Sequence, residues 1–259
     1  MRFGSRRNLR SICVNLRLMR SRLLFLLPAL LLLAGGCAQQ EHITSRDIIA
    51  KIPWTAPETD SYRVLDGNGK EVGAAQLKIE KNGANLRLTQ HYDYPDAGYV
   101  NDSVVIVDTT GLQPVTTNYT LNGPNGNLTC EGHYSAGQVA THRVGQDGER
   151  NDTLDVSAIA YDSWSDLFLW RTIDFSQGFA TDYADILSCT LDRTQKIGVT
   201  LNVKAQEQVT VPAGAYDTWR LEIDSGGSTQ KAWYTTDAAH TLVKYYNGDQ
   251  TFELTKAGG

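Results

Sequence analysis

The chain has 259 residues, with 24 Lys and Arg against 29 Asp and Glu, a formal charge of −5, and 41% hydrophobic side chains. This is ordinary globular composition for one or two domains. The acidic balance excludes a nucleic-acid grip, which needs clustered Lys and Arg to displace phosphate counterions.

The charge is unevenly placed. Residues 1–36 hold seven Arg and no acid, so residues 37–259 carry 17 basic against 29 acidic groups, a net charge of −12. Residues 23–34 form an apolar run between Arg20 and Arg22 on one side and Ala34-Gly35-Gly36-Cys37 on the other. A run of this length is too short for a bilayer-spanning helix, which needs about 20 residues, and suits a signal-peptide core of roughly 7–15. Small residues before a Cys resemble the lipobox of bacterial lipoproteins, with Ala34 where Leu is commoner. That resemblance implies that Cys37 is diacylated, palmitate being a typical chain, and becomes the mature N-terminus. A plain secretory signal with an incidental Cys is the alternative.

Met19 opens a segment that is a complete signal peptide by itself. The expected organisation is an extension upstream of the true start (1–18), a lipoprotein signal peptide (19–36), a lipidated Cys with a flexible tether (37–52), and a single β-domain (53–257). Buried acyl chains contribute roughly 0.8 kcal/mol per methylene, enough for two or three chains to hold a soluble domain on a membrane. Ala38 and Gln39 stand where an Asp often retains lipoproteins at the inner membrane. The expected location is therefore exported and lipid-anchored, at the cell membrane or the periplasmic face of an outer membrane.

Four Cys are present. Cys13 lies in the upstream extension and Cys37 is the lipid site, which leaves Cys130 and Cys189 as a candidate disulfide in an oxidising compartment. Such a bridge closes a loop worth on the order of 4 kcal/mol in chain entropy. Two separate buried thiols are the other reading. The absence of a C-x-x-C spacing argues against a redox role.

From residue 61 onward, period-two segments separated by Gly- and Asn-containing turns dominate. The expected strands are Ser61–Leu65, Val72–Glu80, Asn85–Tyr92, Asp102–Val107, Gln113–Leu121, Asn127–Tyr134, Val139–Val144 and Asp152–Ala160. The series resumes with Ala184–Leu191, Gln195–Val211, Tyr216–Ile223, Gln230–Thr235, Thr241–Tyr246 and Thr251–Thr255. One segment breaks the alternation: Trp164, Leu167, Phe168 and Arg171 fall at helical spacing, and Ser163 followed by Asp166 resembles a capping arrangement. A short helix over about 163–173 is expected there. The fold class is mainly β, a single large curled antiparallel sheet or half-barrel with one short helix.

Motifs that announce an enzyme are absent: no G-x-S-x-G elbow, P-loop, H-E-x-x-H or Rossmann fingerprint. Asp66, Asn68, Lys70 and Glu71 imitate a calcium loop, but Lys70 occupies a ligand position, so a hairpin turn is expected. His91 with Asp93, and Glu131 with His133, share strand faces and would need a third ligand such as His142 to hold a metal. No metal and no cofactor is therefore expected. Asp162 and Asp166 stand one helical turn apart, a spacing suited to acid–base work if burial separates their pKa values and equally to helix-dipole stabilisation. Trp164, Phe168, Trp170, Trp219 and Trp233 are the candidate ligand-facing aromatics, with core packing as the alternative role.

The C-terminal part is the most distinctive. Val209, Val211-Pro212-Ala213-Gly214-Ala215-Tyr216 and Trp219 are followed by Trp233-Tyr234 and then Leu242-Val243-Lys244. This series resembles a family of periplasmic, bacterial envelope proteins known only as a domain of unknown function. Tyr62-Arg63-Val64, Gly111-Leu112-Gln113-Pro114-Val115 and Leu169-Trp170-Arg171-Thr172-Ile173 extend the resemblance over residues 60–250. It implies a curled antiparallel sheet in the envelope and no known substrate. Pro212 cannot donate to a ladder and Gly214 permits a tight reversal, so the motif reads as a structural corner.

The functional expectation is a lipid-anchored, non-catalytic envelope protein binding a lipid, a glycan or a partner protein through its curled sheet. A scaffold for other envelope proteins is the second reading, and a hydrolase of envelope polymers acting through Asp162 and Asp166 or the His91/His133 region the third.

Overall fold

The protein is described by a computed structural model over residues 46–189 and 193–258. Cys37, the leader and residues 37–45 of the expected tether lie outside those residues. Fifteen strands form one sheet. The first eight are β1 (Glu58–Leu65), β2 (Glu71–Asn82), β3 (Asn85–Tyr94), β4 (Tyr99–Asp108), β5 (Pro114–Asn122), β6 (Leu128–Ser135), β7 (Gln138–Gly145) and β8 (Gly148–Asp155). The remainder are β9 (Tyr161–Asp162), β10 (Ala180–Leu187), β11 (Gln195–Val211), β12 (Gly214–Ser225), β13 (Ser228–Thr235), β14 (Leu242–Tyr246) and β15 (Thr251–Lys256).

The sheet order is β8-β7-β6-β5-β4-β3-β2-β1-β15-β14-β13-β12-β11-β10-β9. Every neighbouring pair is antiparallel except β9 and β10, which run parallel and are joined through the helical segment. Parallel neighbours cannot be joined by a tight hairpin, so the helical segment sits where the topology demands a crossover. The other connections are short. Gly226 and Gly227 both have positive φ, 58° and 82°, as a two-residue turn with the right twist for β12 and β13 requires.

Alternation sets the faces. β7 reads exposed and buried in strict succession, and β1 buries Asp60, Tyr62 and Val64 while leaving the residues between them half-exposed. The apolar sides of the central strands meet in one core that includes Val64, Val105, Leu201, Leu221, Ile223 and Leu254. That concave face is filled by the helical segment, a 3-10 turn (Ser163–Ser165), one α-turn, α1 (Asp166–Leu169), and a second 3-10 turn (Trp170–Thr172). Phe168, Leu169 and Trp170 are at most 2% exposed, each burial worth ~2 kcal/mol or more.

The edges β8 and β9 do not pair with each other, yet the seam is crossed by side chains. Cys130 of β6 is disulfide-bonded to Cys189 just after β10, with Cα atoms 5.7 Å apart. Thr117 of β5 and Tyr134 of β6 donate to Asp162 of β9 at 2.5 and 2.6 Å. Thr194 hydrogen-bonds Thr141 of β7, and its amide donates to Asp152 of β8.

Three sequence expectations are corrected. The strand expected at Asp152–Ala160 runs from Gly148 to Asp155, because its first half pairs as a polar edge strand without apolar alternation. The cap of the helical segment is Asp162, whose carboxylate accepts from the Trp164 amide, and not Ser163. The last part of the expected flexible tether is docked: Ile48 is 6% exposed, and the amides of Ala50 and Lys51 donate to the Thr172 carbonyl at 2.8 and 3.0 Å. Ile48, Ile49, Ile52 and Trp54 pack on the core cluster, so this stretch carries too much apolar surface to remain in water.

Candidate functional site

Three buried carboxyl groups lie on and beside the helical segment: Asp162 caps it, Asp166 opens α1, and Asp185 stands on β10. Asp162, at the end of β9, is fully buried and accepts from Thr117, Tyr134 and the Trp164 amide. Asp166 opens α1 and accepts from the Tyr183 hydroxyl at 2.7 Å, while Tyr183 itself accepts from Trp170 Nε1 at 2.8 Å. Asp185 of β10 is 1% exposed and its Oδ1 has no hydrogen-bond partner.

Burial pushes all three carboxyls above the usual carboxylate range. For Asp162, hydrogen bonds from Thr117 and Tyr134 oppose the rise. For Asp166, the Tyr183 hydrogen bond opposes it and the charge of Asp162 adds to it. For Asp185, both neighbouring acids reinforce the effect of burial. Taking a carboxylate out of water disfavours its charged form, and a second acid nearby disfavours it further. Each of the three therefore holds its proton to a higher pH than a solvated Asp does.

Asp166 and Asp185 line a cleft of about 220 Å³. Its aromatic walls are Trp164, Trp170 and Tyr245, and its polar lining includes Gln90, Ser163, Ser225 and Gln230. These groups are held in place from outside. Gln90 donates to the Trp164 carbonyl and accepts from Tyr92, Tyr245 donates to Gln230 at 2.5 Å, and Trp164 stacks on Tyr119 at 4.6 Å. The cleft wall is thus composed of oriented amides, hydroxyls, carboxyls and ring faces.

Of the five aromatics singled out in the sequence, Trp164 and Trp170 line this cleft. Phe168 is buried in the core at 1% exposure, and Trp219 packs half-buried against the same core. Trp233 donates from its indole nitrogen to Glu207 and carries the Lys244 ammonium 5.8 Å from its ring centre, away from the cleft. Pro212 and Ala213 link β11 to β12, with Val211 opposite Gly214, whose φ is 141°.

Two of the candidate histidines are engaged locally: His91 Nδ1 lies 2.7 Å from Asp102, and His142 Nε2 lies 2.9 Å from Glu149. The Asp66 carboxylate accepts from the amides of Asn68 and Lys70, a turn and not an ion site. Among the described residues no three His, Cys, Asp or Glu side chains converge to hold a metal ion. The cleft members that sequence reasoning passed over are Asp185, Gln90, Gln230 and Tyr245. Asp185 did leave a signal, a lone acid within Tyr183-Ala184-Asp185-Ile186-Leu187, where both faces of the strand are buried.

Comparison with known proteins places the chain without assigning it an activity. No curated protein matches it. Among solved structures it is similar to a β-barrel-like protein of the domain of unknown function DUF1849 from Brucella abortus. The identity there is 11%, the TM-score 0.48, and the match covers 78% of this chain and 97% of that one. It is also similar to a Bacteroides fragilis protein described as exported with a YmcC-like fold, at 8% identity and a TM-score of 0.29, covering 80% and 97% of the two chains. A third, described as a lipoprotein, from Parabacteroides distasonis, matches at 9% identity and a TM-score of 0.29, covering 82% and 100%. The family model described as a protein of unknown function, DUF3108, matches residues 61–255, and the chain belongs to that family.

Proposed function

We propose that the protein is an exported lipoprotein, held to a membrane by acyl chains on Cys37, whose β-domain binds a small polar ligand without transforming it. The observation that carries the binding reading is the cleft of about 220 Å³, with its aromatic walls and pre-oriented amides and hydroxyls. It is smaller than the ~300–1,000 Å³ of common ligand pockets, which suits a single sugar-sized ring. The concave face that an acyl chain would need is occupied by Leu167, Phe168 and Leu169. A polar, glycan-like ligand therefore fits better than a lipid tail.

A catalytic role has less support. Glycoside cleavage by paired carboxyls needs one group protonated and the other ionised. Here burial drives Asp162, Asp166 and Asp185 in the same direction. A scaffold role also has less support, because among the described residues the exposed large hydrophobic side chains are Val115 and Val144, too few for an apolar docking face.

Two measurements test the proposal. Metabolic labelling with an alkyne palmitate should mark the wild type and not Cys37→Ser, and label retained on Cys37→Ser refutes the anchor. Native mass spectrometry of protein purified from membranes should find a small polar adduct that is lost when Ser225→Trp fills the cleft. An adduct that persists in that variant, or a Ser225→Trp strain with full cell function and no adduct in the wild type, refutes the site.

A further inference from the structure

The chemical class of the ligand follows from what the cleft lacks. Two acids, Asp166 and Asp185, line a space of about 220 Å³, and no Lys, Arg or His shares that lining. Asp185 is 1% exposed, so solvent does not complete its coordination, and its Oδ1 has no partner. A buried polar atom without a partner costs about 1–3 kcal/mol, so a donor that reached the Asp185 carboxyl from the cleft would recover that cost.

The walls specify more. Trp164, Trp170 and Tyr245 present rings around the same space. The negative faces of such rings attract cations, and they do so most strongly where water is excluded. Because no three acid, His or Cys side chains converge for a metal among the described residues, the geometry favours an organic cation over an inorganic one. The net charge of −12 over residues 37–259 draws cations toward the domain from a distance. Gln90, Ser163, Ser225 and Gln230 add neutral hydrogen-bonding groups that a bare ammonium would leave unused.

We infer that the cleft recognises a small ligand carrying a protonated amine beside hydroxyl groups, with Asp185 and Asp166 receiving the ammonium and Trp164, Trp170 and Tyr245 enclosing it. This inference rests on the binding reading proposed above. The ammonium supplies the donor that Asp185 Oδ1 lacks, and its positive charge opposes the burial that keeps these acids protonated, so that a carboxylate forms and its proton leaves to solvent as the ligand binds. A neutral sugar offers hydroxyl donors but brings no charge that would stabilise a carboxylate there.

The test uses full-length protein purified from membranes in detergent, with binding followed by tryptophan fluorescence and by calorimetry. Three probes separate the sources of the amine: glucosamine, its neutral counterpart glucose, and putrescine as an amine without a ring. The expected result is that glucosamine binds at least ten-fold more tightly than glucose, with putrescine between them. Asp185→Asn should abolish that preference. This variant is nearly isosteric and removes the carboxyl that a bound ammonium would ionise. Asp166→Asn, which keeps the oxygen that accepts from Tyr183, serves as the second variant should the first misfold. Equal binding of glucose and glucosamine, or a preference that survives both substitutions, overturns the cationic class while leaving the cleft as a polar binding site. Tighter binding of putrescine than of glucosamine overturns the hydroxyl-bearing part. If none of the three binds, the ligand class is overturned, and the cleft reading then stands or falls on the adduct and Ser225→Trp measurements.

Discussion

Arg171 is the residue by which the helical insert is fastened inside the sheet, and its removal provides a quantitative test of the fold. Its side chain is 4% exposed and pairs through both terminal nitrogens, at 2.5 and 3.3 Å, with Glu58 at the start of β1. The same fork donates to the Ala239 carbonyl between β13 and β14 at 2.8 Å, and the guanidinium lies 5.1 Å from the Trp54 ring centre. One side chain thus joins the insert to the first strand, a distant loop and the docked N-terminal stretch. Arg171→Met keeps most of the apolar stem and removes the charge, leaving Glu58, whose side chain is 14% exposed, without its cation. Deleting one member of a buried pair costs about 3–5 kcal/mol, chiefly because the other charge stays buried unpaired. For a domain of this size that is a drop of ~10 °C in Tm. The assay is urea unfolding with the disulfide intact, run as a double-mutant cycle with Glu58→Gln. The double variant should recover at least 1 kcal/mol relative to the sum of the two single losses. Additive losses, or an Arg171→Met cost below about 1 kcal/mol, refute the fastening argument.

Replacing Cys130 and Cys189 together by Ser should lower stability by about 4 kcal/mol, since the bridge spans 59 residues of sequence, and a urea midpoint unchanged from wild type contradicts this. Asp60 is buried, its pKa raised to about 6 by desolvation against the opposing Gly258 amide. A folded-state pKa above the unfolded 3.8 means that the native state binds the proton more tightly, so this group's favourable contribution is complete below pH ~4, declines as pH rises toward 6, and is gone above it. The total is at most about 3 kcal/mol, and Asp60→Asn should flatten the stability profile between pH 4 and 6; an unchanged slope in that variant rules the assignment out. Ile48→Ala should cost about 2 kcal/mol by thermal denaturation, which a freely moving tether would not.

Local patterns were readable where each strand buries one face. The Asn, Gly and Asp turns and the alternation of β2 to β7 suffice to place those strands within a few residues. Alternation fails for β8, whose Gly148-Glu149-Arg150-Asn151 lead carries no apolar face, and for the two-residue β9, too short to have a period. The helix was legible from Trp164, Leu167, Phe168 and Arg171, but its burial inside the sheet was not, because helical spacing does not say which surface will cover it. The cleft was half legible. Trp164 and Trp170 were singled out because bulky aromatics on a β-domain invite the question, whereas Gln90, Gln230 and Asp185 come from strands that meet only after the sheet has curled. The family motif around Pro212 and Gly214 marks a hairpin and lies apart from the acids, so the most distinctive stretch of sequence is the least informative about binding.

The pairing of β1 with β15 makes the strand order a circular rearrangement of a plain meander. Beginning at β9 and reading through β15, β1 and on to β8, every strand lies beside the next. The ladder that breaks local order joins positions such as Arg63 and Glu253, 190 residues apart in sequence. A chain opened between β8 and β9 and joined from β15 to β1 would keep every ladder while making that long-range pairing local. Contact-order reasoning predicts that such a permutant folds faster than the natural chain. The natural order instead delays the middle of the sheet until the whole domain has been synthesised, and places its two termini side by side at the centre of the sheet and its open edges in the middle of the sequence.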